Sequence, residues 1–206
     1  MRPDFSDYLV HFTVNSKPKG DNSDNPIKDY ENMTAFERLI NILKDQKIVA
    51  SRMPWSGCRA VCFTECPWSS LLDHTTKYSP FGLGFHKAFI FSRNGSPVYY
   101  VRPDQFEKQE WHEDLYPFVT PFWPKYRPGH LKEKYSFQTC DYSHEREWRT
   151  PHDLCFDYSQ ISFVIINTYE ELNQIPEAIR DSVGNDKFVL MENYRKIERL
   201  WPVHLI

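Results

Sequence analysis

Hydrophobic and polar positions along the chain fall into short blocks of different period. Residues 7–13 carry β-prone apolar side chains around His11 and read as a strand. Residues 14–33 are polar, broken by Pro18, Gly20, Asn25 and Pro26, and read as a loop. Thr34 and Glu37 stand at the spacing of a capping box, in which hydroxyl and carboxylate satisfy each other's backbone N–H groups. Phe36, Leu39, Ile40 and Leu43 then repeat at helical spacing, which predicts an amphipathic helix to about Gln46. Residues 48–50 form a short extended piece and residues 59–64 a strand. Pro67 suits a helix's first turn, with Trp68, Leu71, Leu72 and Thr75 as its buried side running toward Tyr78. Residues 85–91 and 97–101 are apolar and β-prone, and the turn residues Arg93 to Ser96 between them predict a hairpin.

Residues 103–135 differ in kind. Five prolines (103, 117, 121, 124 and 128) are interleaved with Trp111, Tyr116, Phe118, Phe122, Trp123 and Tyr126. That is too aromatic for a disordered linker and too proline-rich for a long regular element, so an ordered insertion or lid is expected. Residues 144–150 resume extended structure and stop at Pro151. Residues 161–166 are the strongest strand, Thr168 and Glu171 open a helical region interrupted at Pro176, and residues 188–201 suit a helix whose start could equally be a strand. The whole reads as one α+β domain over residues 1–206.

Composition narrows the function classes. The chain has 206 residues, 40% hydrophobic and 16% aromatic, with a formal charge of −3, which argues against a wholesale electrostatic grip on nucleic acid but permits a local basic groove. No stretch approaches the roughly 18 apolar residues of a membrane span, and the first residues lack a signal peptide's apolar core. Five cysteines, an odd count, fit free thiols in a reducing cytoplasm. Cys58, Cys62 and Cys66 recur every four residues with His74 downstream, but that spacing along a strand gives poor tetrahedral geometry, so no metal site is expected.

The run Glu145-Arg146-Glu147-Trp148-Arg149 carries the candidate chemistry. On a strand, Glu145 and Glu147 would share a face, and two such carboxylates suit a substrate that develops positive charge. Alternatively, Glu145 and Arg149 would pair at i, i+4 on a solvated helix.

His11 with Thr13, then residues 61–64 followed by Ser69, Ser70 and Tyr78, and finally Glu145 and Glu147, resemble in order and spacing the motifs of the ADP-ribosyltransferase superfamily. The opening also resembles the DarT toxin group and the RNA 2′-phosphotransferases, and the overall layout is similar to abortive-infection proteins of the AbiGi type. The resemblance implies a split β-sheet with flanking helices, holding NAD as co-substrate in a cleft. It implies Glu147 as the catalytic carboxylate and Glu145 as the acceptor contact. His11, Thr13, Ser51, Arg52 and Tyr78 would bind NAD. The strand Tyr of that family falls near Cys62 and is missing here. The implied activity is transfer of ADP-ribose in a bacterial toxin or defence system, with RNA or DNA as acceptor stacked on Trp123 and gripped by Lys125. Two rivals remain: a non-catalytic antitoxin or immunity protein on the same fold, which the missing Tyr favours, and NAD-dependent RNA 2′-phosphate removal.

Overall fold

The computed structural model describes residues 6–15, 33–65, 78–124, 141 and 143–200. Two four-stranded sheets organise them. The first runs in the order β1 (Tyr8–Phe12), β5 (Gly82–His86), β11 (Ile161–Ile166) and β12 (Phe188–Leu190), antiparallel except for the last pair. The second is antiparallel, with β3 (Ser51–Arg52), β4 (Arg59–Phe63), β9 (Trp148–Thr150) and β6 (Ser96–Pro97). The two meet at one bridge, where Val10 and Thr64 exchange N–H···O bonds of 2.9 Å each. The α+β class is therefore observed, with β2 (Lys47–Ile48) paired to β10 (Leu154–Cys155), and β7 (Tyr99–Val101) to β8 (Val119–Pro121), as smaller ribbons.

Helix α1 (Ala35–Asp45) forms where its sequence expects it. The Thr34–Glu37 capping box closes its start, and Gln46 ends it in the left-handed conformation. Its apolar stripe, Leu39, Ile42 and Leu43, is buried with Leu9, Leu83 and Phe85 of the first sheet and Val61 and Phe63 of β4. On the opposite face of the first sheet, Val10 of β1 and Ile165 of β11 are buried with Met191, which explains why β11 is apolar without alternation. Met191 opens α6 (Met191–Leu200), directly after β12, so the tail is strand and then helix. Thr168 and Glu171 cap α4 (Tyr169–Gln174), and α5 (Glu177–Val183) follows Pro176.

Two expectations fail. The hairpin over residues 85–101 is absent: after β5 the chain turns into α2 (Lys87–Ser92), because His86 Nδ1 accepts from the Ala88 N–H at 3.2 Å and caps a helix start. Residues 96–97 pair with β9 instead. The extended run over 144–150 is broken as well. Residues 143–145 form a 3-10 turn, Arg146 has φ 47°, and β9 begins only at Trp148. The expected helix from Pro67 lies outside the described residues, as does the insertion beyond Pro124. The described part of the insertion packs inward through α3 (Pro103–Phe106) and β8, with Pro117 and Phe118 buried.

Candidate functional site

A cleft of about 630 Å³ opens where β1 and β4 diverge from their bridge. His11, Thr13, Ser51, Tyr78, Glu145 and Glu147 all line it, so residues from distant parts of the chain converge there. Two others expected to act with them do not. Arg52 is exposed on β3 and off the lining. Trp123 is buried, 7% exposed, and offers no open face to a base. Lys125, Ser69 and Ser70 lie outside the described residues.

On β1, His11 Nδ1 donates to the Cys62 carbonyl at 2.9 Å, since a carbonyl can only accept; Nε2 is left as the ring's acceptor. Burial holds its pKa below the ordinary histidine value, and Arg38 adds to that, against the opposing Cys62 bond. The imidazole is therefore neutral. Thr13 lines the cleft with its hydroxyl committed to structure: Oγ1 donates to Ala35 O at 2.8 Å and ties β1 to the start of α1.

Glu145 is 7% exposed. Its carbonyl accepts from the Thr64 hydroxyl at 2.7 Å and the Glu65 N–H at 3.1 Å, which pins its backbone beside β4. Its Oε1 accepts from the Tyr78 hydroxyl at 2.5 Å, with His144 Nε2 3.7 Å away. The Tyr78 ring stacks on Phe12, centroids 6.3 Å apart.

Glu147 sits in a different environment. Arg149 holds it bidentately, Nε to Oε1 at 2.7 Å and Nη2 to Oε2 at 2.9 Å, and the Tyr100 hydroxyl lies 3.4 Å from Oε2. Arg149 is wholly buried; it also donates to Pro117 O at 3.0 Å and Thr120 Oγ1 at 2.8 Å, and lies over the Trp55 ring. Burial, reinforced by Glu147, pushes the Cys62 thiol far up, so it stays protonated and is a poor nucleophile or metal ligand. Among the described residues, no group of three or more His, Cys, Asp and Glu could hold a metal ion.

Arg38, Met53 and Trp55 are among the lining residues that the sequence did not single out. Arg38 had a faint signal, as a cation beside the apolar stripe of α1. Trp55 had none, because its role as the platform under Arg149 depends on a long-range contact.

Residues 30–121 match a family described as "Putative abortive phage resistance protein AbiGi, antitoxin". No curated protein matches the chain, and no solved structure matches it. The matched span covers α1 to β8 but reaches neither His11 nor Glu145 and Glu147. The chain is thus similar to abortive phage-defence proteins. Among the described residues, no helix is long and apolar enough to cross a membrane.

Proposed function

We propose that this chain works in abortive phage defence as the antitoxin-side protein of a toxin–antitoxin pair, with a cleft that binds a dinucleotide of the NAD class and does not turn it over. The family similarity supports the defence and antitoxin parts. The cleft's volume lies in the range of small-molecule sites, and neutral His11 offers an acceptor to a ribose hydroxyl. The observation that carries the non-catalytic part is the Glu147–Arg149 pair. A carboxylate assists loss of nicotinamide by opposing positive charge that grows on the ribose. A guanidinium held bidentately on that carboxylate cancels much of the field it would supply.

ADP-ribosyl transfer is the second reading, and Glu145 favours it. This carboxylate lines the same cleft and is oriented by a tyrosine hydroxyl rather than by a bidentate arginine. In that reading Glu145, not Glu147, stabilises the reacting ribose.

Wild type, Glu145→Gln and Glu147→Gln are incubated with labelled NAD and separate pools of RNA, DNA and protein, while NAD binding is measured by calorimetry. Binding without nicotinamide release, together with relief of toxicity when the chain is co-expressed with a toxin encoded beside it, supports the antitoxin reading. Release by wild type that disappears in Glu145→Gln establishes the transferase instead. Absence of NAD binding removes both readings of the cleft.

A further inference from the structure

Two aromatic stations line the cleft, each tied to one carboxylate of the acidic motif. Tyr78 reaches Glu145 directly through its hydroxyl. Trp55 reaches Glu147 through Arg149, whose guanidinium lies over the indole ring, 5.2 Å from its centroid, and holds the carboxylate bidentately. The stations therefore differ in charge: a carboxylate stands at the first and a cation at the second.

Trp55 sits in the turn that joins β3 to β4. The Met53 N–H donates to Cys58 O at 2.7 Å, the Gly57 N–H donates to Met53 O at 2.8 Å, and Gly57 takes the left-handed φ of 70° that closes the loop. From there the indole is fixed twice. Its Nε1–H donates to the Val119 carbonyl at 2.8 Å, and the buried guanidinium lies over the ring. A ring held in this way loses little freedom when a ligand arrives. Trp55 is half-buried and lines the cleft, so what it offers a ligand is the surface that the guanidinium leaves uncovered. Met53 and Pro54, beside it in the lining, are apolar.

A dinucleotide of the NAD class carries two planar rings, a cationic nicotinamide and a neutral adenine. The charge over Trp55 discriminates between them. A buried cation on one face draws π density toward itself and repels a second cation stacked on the same ring. A neutral purine meets no such penalty and gains the stacking energy of a base on an aromatic platform. Glu147 offsets part of the field, but the guanidinium is the group that lies over the ring. We infer that Trp55 is the adenine platform of the cleft, which leaves the cationic ring to the Glu145 station. The inference rests on the dinucleotide reading of the cleft and adds to it the residue that receives the base.

The test titrates wild type, Trp55→Leu and Trp55→Phe with adenosine 5′-monophosphate, nicotinamide mononucleotide and NAD, by calorimetry and by tryptophan emission, with thermal unfolding as the check that each variant is folded. Adenosine monophosphate is expected to bind wild type, to be displaced by NAD and to quench emission. Leucine removes the π surface, so Trp55→Leu should weaken adenosine monophosphate about tenfold or more, while nicotinamide mononucleotide binds wild type no better than this variant. Phenylalanine keeps a stacking ring, so Trp55→Phe should retain most of the affinity and lose the quench; this variant carries the test if the leucine one does not fold. Five results overturn the inference: no binding of adenosine monophosphate, binding that NAD, itself bound, does not displace, unchanged affinity in Trp55→Leu, equal weakening of both mononucleotides, or a quench that persists in Trp55→Phe. NAD binding with no effect of Trp55 sinks this inference and leaves the proposed function standing. Adenosine monophosphate bound at Trp55 without any NAD binding does the reverse.

Discussion

Replacing Arg149 by methionine tests the buried pair on which the reading of the cleft depends. Methionine keeps much of the apolar stem and removes the guanidinium, with its contact over the Trp55 ring. Four hydrogen bonds go with it: two to Glu147, one to the Pro117 carbonyl and one to the Thr120 hydroxyl. Arg149 is fully buried and the Glu147 side chain is only 11% exposed, so water cannot replace the lost partner. Breaking such a pair from one side costs roughly 3–5 kcal/mol, a large share of the ~5–15 kcal/mol that holds a typical protein folded. Glu147→Gln strands the opposite charge and should cost a similar amount. The double variant Glu147→Gln/Arg149→Met leaves neither charge orphaned and should recover about 2 kcal/mol over the sum of the two singles. Urea unfolding with linear extrapolation reads all four proteins, with an unchanged m value as the check that the unfolding reaction is the same. A loss below about 1 kcal/mol for Arg149→Met, the range of exposed ion pairs, would refute the burial argument. So would additive single losses. Loss of function in Glu147→Gln alone mixes chemistry with stability, whereas the double variant separates them.

Two further predictions rest on single residues. His11 has a folded pKa below the ordinary 6.5, so the unfolded chain takes up the proton first; its share of stability is complete above about pH 6.5 and drains as pH falls through that value toward the folded pKa. His11→Gln should flatten the stability difference over that window, and parallel unfolding curves for the two proteins from pH 7 downward would contradict the assignment of a neutral ring. A Cβ at Gly84 would collide with the Phe163 ring of β11, so Gly84→Ala should destabilise by about 1–3 kcal/mol and Phe163→Leu should relieve part of it; a neutral Gly84→Ala would refute the close approach of β5 and β11.

Elements defined by local chemistry were readable in the sequence. The Thr34–Glu37 and Thr168–Glu171 boxes cap helices where their spacing says they should, because every partner lies within one turn. β11 was legible because its apolar run is too short for a spanning helix and sits between turn signals. The stretch after β5 was not. Residues 85–91 have strand composition, but Ser96 and Pro97 find their partners on β9, far along the chain, and His86 supplies a side-chain cap that alternation of apolar residues does not reveal. Similarly, aromatic richness marked residues 103–124 as ordered, yet not that Pro117 O and Thr120 would serve a buried arginine.

At the site, residue identities were more legible than their geometry. His11, Thr13, Ser51, Tyr78, Glu145 and Glu147 do share a cleft. The rule that placed the two carboxylates on one strand face failed for a reason seen in the pairing. Alternation holds only along a hydrogen-bonded ladder, and the β4–β9 ladder has Trp148, opposite Phe63, as its first paired residue on β9. One residue further along β4, Thr64 is taken by Val10 of the other sheet, and its hydroxyl, with the Glu65 N–H, captures the Glu145 carbonyl. Glu145 is thus anchored at the seam between the sheets, while Glu147 stands one residue before β9, its carbonyl accepting from the Val98 N–H. Arg146 absorbs the mismatch through its left-handed turn. The same seam that opens the cleft therefore separates the two carboxylates, giving one to Tyr78 and the other to Arg149. Their differing partners, rather than their shared motif, decide which can answer positive charge on a ligand.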